Sequence, residues 1–261
     1  MANAFVWYDV MTTDVEAAEK FYSSVMGWKT KDSGMTGAVY KLILNGDVQV
    51  GGIMPIPEDA KAMGVPPAWM GYIGVSDVDE YAKKVKAAGG MIHREPTDIP
   101  GVGRFAVAAD PHGAGFILFQ GNSDAAPAPV PFMAKGHIGW KELHAGDREE
   151  AAAFYSKLFG WTKDTANDMG GGEANGGFVY QTLKSGGEIA DIGMMTKMPS
   201  MPMPAWAYYL SVGDIDAGVK RVKDNGGEVL MDVMQVPGGV WIAPCKDPQG
   251  AHFNLIGMRS N

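Results

Sequence analysis

Four residues in the C-terminal half of the chain have the types and spacing of an acid–base site. Glu142 and His144 stand two apart in one strand-like run, and His252 and Asn254 stand two apart in another near the end of the chain. Residues i and i+2 of an extended strand share a face, so each pair projects together. A carboxylate beside an imidazole can move a proton as general acid or base. Glu142 and His144 are therefore the candidate catalytic residues, with His252 and Asn254 as ligand contacts. The N-terminal half offers a poorer version: Trp7, Asp9 and Met11 share one face, and Gly115, Ile117 and Phe119 another. Alternatives stay open for each. Asp9 and Glu142 could pair with backbone groups or cations, and Trp7 and Trp140 could be core residues or stacking surfaces for a ligand. Glu142, His144 and His252 would hold a metal ion only if their side chains converged, and neither a metal nor a cofactor is expected.

The elements that must position these residues come from a duplication. Trp7, Asp14, Phe21, Tyr22, Gly27 and Trp28 recur 133 positions later as Trp140, Asp147, Phe154, Tyr155, Gly160 and Trp161. A second block, from Pro67-Ala68-Trp69 through Asp110-Pro111 to Leu118, recurs 137 positions later from Pro204-Ala205-Trp206 through Asp247-Pro248 to Leu255. Two blocks in the same order mean two copies, residues 1–124 and 135–261, joined by a Pro/Ala-rich linker at 125–134 whose prolines favour extended backbone. Each copy divides again. Asp14 and Asp77 stand where helix N-caps belong, apolar residues follow at helical spacing, and Gly27 and Gly89-Gly90 end the helices. Asn45-Gly46-Asp47 is a hairpin signal between strand-like runs at 38–44 and 48–54. The expected order is one strand, a helix and three strands, four times over.

Two elements in each copy carry a family resemblance. One is Thr13-Asp14 through Phe21-Tyr22 to Gly27-Trp28, echoed from Asp147 to Trp161; the other is Asp110-Pro111-His112-Gly113, echoed as Asp247-Pro248-Gln249-Gly250. Together with Trp7-Tyr8-Asp9 and Trp140-Lys141-Glu142 they make nearly the whole chain resemble a tandem vicinal-oxygen-chelate protein of the glyoxalase, bleomycin-resistance and dioxygenase group. The resemblance implies an α+β fold in which four βαβββ units form two cup-shaped mixed sheets around ligand sites. It also implies where metal-dependent relatives place ligands: seven residues before each capping Asp, seven after the Asp of Asp-Pro-x-Gly, and near the end of the first unit. Those positions hold Trp7, Met70 and Ile117 in copy one and Trp140, Ala207 and Asn254 in copy two, with Asp191 the only acid near the fourth. Indole, thioether and alkyl groups do not replace imidazole or carboxylate around a borderline or hard cation. Glyoxalase I or extradiol dioxygenase chemistry of the standard metal-dependent kind is therefore not expected.

The loops supply the rest of the expected site. Met194-Met195 through Met198, Met201 and Met203 to Trp206 joins the two units of copy two, and methionines offer a soft apolar surface. Met194 with Trp69, Trp206, Tyr72 and Tyr209 as flat contacts suits a small apolar or aromatic ligand, although such loops can also cover core edges or a subunit interface. Gly170-Gly171-Gly172 reads as a hairpin tip, and Cys245 as a buried filler. A charge of −8 argues against a nucleic-acid partner, no run is long and apolar enough for a membrane span, and the single cysteine suits a reducing, cytoplasmic setting. The expected function is binding of a small molecule by a monomer or homodimer, with a lyase, isomerase or hydrolase using Glu142 or His144 as the alternative.

Overall fold

The computed structural model describes residues 3–122, 131, 133–170 and 177–259. Linker residues 125–130 and 132, and Gly171 and Gly172 of the expected hairpin tip, lie outside them. The first copy runs β1 (Phe5–Thr12), α1 (Val15–Met26), β2 (Lys29–Asp32), β3 (Lys41–Asn45) and β4 (Val48–Pro55). A short α2 (Glu58–Ala62) follows, and then β5 (Ala68–Gly74), α3 (Val78–Ala87), β6 (Met91–Ile99), β7 (Gly103–Ala109) and β8 (Gly115–Gly121). The second runs β9 (Ile138–Ala145), α4 (Arg148–Phe159), β10 (Thr162–Met169), β11 (Phe178–Lys184) and β12 (Ile192–Thr196). Its second unit is β13 (Ala205–Asp214), α5 (Ile215–Asp224), β14 (Glu228–Val229), β15 (Met234–Gln235), β16 (Trp241–Lys246) and β17 (His252–Met258). Four βαβββ units are present, as the repeat requires, the last with the first strand after its helix broken into two short pieces, β14 and β15.

The local causes are the ones the sequence carries. Asp14, Asp77, Asp147 and Asp214 each cap a helix, their carboxylates accepting from the backbone N–H three residues on at 2.8–3.0 Å. Gly27 and Gly160 end α1 and α4 in the left-handed region, at φ 76° and 72°. In every unit the first strand is parallel to the last, and the intervening strands return antiparallel. The strands of copy one form one mixed sheet, β2-β3-β4-β1-β5-β8-β7-β6, and those of copy two form another, β10-β11-β12-β9-β13-β17-β16-β14 with β15 beside β16.

Packing cuts across the duplication. One compact unit comprises Met1–Trp7, Gly71–Pro129 and Lys141–Trp206, and the other Tyr8–Met70, Val130–Trp140 and Ala207–Asn261. Each therefore joins one βαβββ repeat from each copy, helix side to helix side. In the second unit, Phe21 and Tyr22 of α1 lie edge-on to Phe253 of β17, with centroids 5.9 and 5.7 Å apart. The fully buried Tyr22 hydroxyl donates to Asp247 at 2.9 Å and accepts from the Trp69 indole N–H at 2.9 Å. Burial and the Asp247 charge push the Tyr22 pKa well above its usual value, so the hydroxyl keeps its proton. Asp247 also accepts from the backbone of Gln249 and Ala251, which shapes the Asp-Pro-x-Gly turn before β17.

The first unit is built the same way. Phe116 of β8 packs against Phe154, Tyr155 and Phe159 of α4, and Tyr81 of α3 stacks on Phe159. The Trp206 indole donates to the Tyr155 hydroxyl at 3.0 Å. Asp110 shapes its turn by accepting from His112 and Ala114, and burial pushes its pKa up.

Two outcomes follow from this packing. Tyr22→Phe leaves the Trp69 N–H and one Asp247 oxygen buried without their partner, and denaturant unfolding should show a loss of about 1–3 kcal/mol. Cys245 is fully buried, and desolvation pushes its thiol up to about 12. An aromatic disulfide reagent at pH 8 should therefore leave it unmodified in the native chain and react once denaturant is added. Fast labelling of the native chain would contradict its placement.

Candidate functional site

Alternation along β9 sets the site. Leu143 and Ala145 are fully buried on the helix side, which turns Glu142 and His144 to the opposite face. The parallel neighbour β12 brings Gly193 opposite Glu142 and Met195 opposite His144. Glu142 is buried, and its two oxygens have different partners. Tyr180 of β11 donates its hydroxyl to Oε2 at 2.6 Å, and His144 Nε2 lies 3.0 Å from Oε1. The other ring nitrogen of His144, Nδ1, is shielded from solvent and has no hydrogen-bond partner.

Copy one builds the same arrangement without the imidazole. Asp9, buried on β1, accepts the Tyr40 hydroxyl at 2.6 Å and stands opposite Gly52 of β4, while Met11, in the place of His144, stands opposite Met54. Gly52 is required by this contact. A Cβ there would lie 2.2 Å from the Tyr40 hydroxyl oxygen and 2.6 Å from Asp9 Oδ1. Tyr40 and Tyr180 were not among the expected site residues. The available signal was the Val-Tyr pair that both copies keep, Val39-Tyr40 and Val179-Tyr180, at the start of the strand that returns beside the last strand of the unit.

The remaining expected contacts divide between the two sheet faces. Tyr72 lies opposite Ile117 with its ring 6.0 Å from that of Phe119, and Tyr209 lies opposite Asn254; all four of Tyr72, Ile117, Tyr209 and Asn254 are buried. Trp69 and Trp206 sit on the helix side instead, where their indoles hydrogen-bond to Tyr22 and Tyr155. Met194, fully buried opposite Leu143, is also on that side; Met195 is the methionine on the face of Glu142 and His144. Trp7 and Trp140 are half-buried, each two residues before its carboxylate on the same strand. His252 is exposed at the start of β17, opposite Lys246. Glu142 and His144 belong to the first compact unit, His252 and Asn254 to the second.

The family's metal positions do not fit an ion here. Trp7, Met70, Ile117, Trp140 and Ala207 bring no suitable donor. Asp191, the acid nearest a fourth position, is engaged by Lys141 at 2.9 Å and by the Ser185 hydroxyl and backbone N–H at 2.6 and 3.0 Å. Among the described residues no three His, Cys, Asp or Glu side chains group together as a metal site.

Comparison with known proteins agrees with the repeat and the fold. Residues 4–118 and 136–255 match the family model described as Glyoxalase/Bleomycin resistance protein/Dioxygenase superfamily. The chain is 35% identical over 255 residues to the protein named "Putative glyoxylase CFP32" of Mycobacterium tuberculosis, covering 96% of this chain and 93% of that one. It is 29% identical over 271 residues to the anthracycline biosynthesis protein DauV of Streptomyces sp. (strain C5), covering 98% and 94%. Among solved structures, the Mn(II)-bound glyoxalase from Novosphingobium aromaticivorans superposes with a TM-score of 0.65 at 16% identity, covering 99% of this chain and 83% of that one. A catechol 2,3-dioxygenase superposes with a TM-score of 0.63 at 15% identity, covering 99% and 89%. The chain belongs to the glyoxalase/bleomycin resistance protein/dioxygenase superfamily.

Proposed function

We propose that this chain binds a small, largely apolar or aromatic molecule on the sheet faces that carry Asp9 and Glu142, without a bound metal ion. One observation carries the reading: both copies hold a buried carboxylate at the same strand position, accepting a tyrosine hydroxyl at 2.6 Å. Methionines and half-buried tryptophans share those faces. A few placed polar groups within an apolar lining are how small-molecule sites orient their ligands. Aromatic side chains and methionine suit a flat ligand. The similarity to proteins named for anthracycline biosynthesis supports the same ligand class.

The Glu142–His144 contact at 3.0 Å favours a second reading for copy two alone. There the bound molecule would undergo proton transfer, as in a lyase, isomerase or hydrolase, with no metal involved.

Calorimetric titration with a panel of hydroxylated aromatic compounds tests the binding reading. Affinity should be unchanged by a strong chelator. It should fall by about 1–3 kcal/mol in Asp9→Asn or Glu142→Gln, as expected when a buried charged hydrogen bond is lost. Elemental analysis showing one metal ion per chain, lost together with binding on chelation, would contradict it. The close approach at Gly52 adds a separate outcome. Gly52→Ala must displace Tyr40 from Asp9, and urea unfolding should show a loss of about 1–3 kcal/mol. Unchanged stability and affinity would mean that the Asp9–Tyr40 contact does not hold this face together.

A further inference from the structure

We propose that copy one selects an aromatic carboxylate, with Arg94 holding the carboxylate and an aromatic wall at Phe105, Phe119 and Tyr72 holding the ring. The inference rests on the reading that the chain binds flat aromatic molecules, and it names the charged group that one copy recognises. Alternation defines the wall. Ala106 and Ala108 of β7 and Phe116 and Leu118 of β8 are fully buried on the helix side. Phe105 and Val107, and Ile117 and Phe119, therefore turn to the other face. Phe105 stands opposite Phe119, and the Tyr72 ring of β5 lies edge-on to that of Phe119 at 6.0 Å. Arg94 of β6 stands opposite Val107 and so shares this face, and its guanidinium lies over the Phe105 ring, 5.3 Å from the centroid. Phe105 and Phe119 are half-buried and Arg94 is exposed, so both rings and the cation are within reach of a ligand.

The cation is uncommitted. Arg104, Arg148, Arg221 and Arg259 each donate to a carboxylate or a backbone carbonyl. Arg94 has neither an ion pair nor a side-chain hydrogen bond among the described residues. Glu95, the acid beside it in sequence, is taken by Lys86 of α3 at 2.6 Å. The ring contact orients the guanidinium and leaves its charge unneutralised. A guanidinium fork matches the planar carboxylate in two parallel hydrogen bonds. One cation on a chain of net charge −8 suits a monoanion better than a phosphate ester, which would bring close to two charges. Copy two has the same strands without this chemistry. Met231, Ile242 and Ile256 stand at the positions of Arg94, Phe105 and Phe119, and Ile242 pairs with Ile256 as Phe105 does with Phe119. The cation and the two phenylalanines therefore belong to one copy and are not demanded by the fold.

Calorimetric titration of the intact chain with 1-naphthoate and with 1-naphthamide, its uncharged counterpart of the same shape, tests the inference. 1-Naphthoate should bind about 10-fold or more tightly than 1-naphthamide, the gain expected from charge-assisted hydrogen bonds. Arg94→Met changes an exposed residue to the type that copy two has there, and the melting temperature should not move. It should bring 1-naphthoate down to the affinity of 1-naphthamide and leave 1-naphthamide unchanged. Phe105→Ile should weaken both compounds. Equal affinities for the wild-type chain, or tight 1-naphthoate binding that persists in Arg94→Met, would overturn the assignment. If hydroxylated aromatics still bind in a manner sensitive to Asp9→Asn, that result leaves the binding reading standing. If neither naphthyl compound nor the hydroxylated panel binds, both fall together.

Discussion

A single buried hydroxyl shows what the architecture depends on. Tyr22 comes from the first helix of copy one, and its hydroxyl lies between Trp69 of the same copy and Asp247 of the other. The three groups are buried together, so the hydroxyl proton and the second Asp247 oxygen are satisfied only if a repeat from one copy closes on a repeat from the other. In the first compact unit Trp206–Tyr155 repeats the Trp69–Tyr22 half of this arrangement, and Phe116 of copy one packs on Tyr155 of copy two. The constraint is general to layered folds. A sheet that carries helices on one face must bury them against something, and here each repeat covers its counterpart. With the helix sides committed to one another, the opposite faces of the strands are left to carry Asp9, Glu142 and their tyrosines.

Duplication then allows the two faces to diverge while the frame stays the same. Asp9 and Glu142 occupy matching positions and receive matching tyrosine hydroxyls, and both stand opposite glycines on the neighbouring parallel strand. Two residues on, copy one has Met11 and copy two has His144. The difference costs the scaffold little, because neither side chain faces the helix core. It separates an apolar face from one that also has a titratable ring.

Much of the fold was legible in the sequence. Two constant offsets fix the duplication, four aspartates at capping positions fix the helix starts, and strand alternation puts Asp9, Glu142 and His144 on the face away from the helices. The tyrosines that complete the site were harder to see. Tyr180 reaches its carboxylate from another strand of the same unit, Tyr40 from the residue just before one, and only strand order and register decide which side chains meet there. Trp69, Trp206 and Met194 are aromatic or soft residues near a predicted ligand, yet each lies one position out of phase with the site face, opposite in parity to Tyr72, Tyr209 and Met195. Residue type suggested a ligand contact, while parity places them in the core. The pairing of repeats between copies left no local mark, because it depends on which buried surfaces meet after the strands have formed.

The interdependence of the two copies is the claim on which the rest stands, and severing the linker tests it most directly. Residues 1–122 and 133–261 would be produced separately and examined by sedimentation and thermal unfolding, alone and after mixing. Each copy alone has its helix side uncovered, so neither should be a folded monomer. Mixing should restore a one-to-one assembly that unfolds in a single transition close to that of the intact chain. Two separately folded monomers, each melting as it does in the intact chain, would contradict the account.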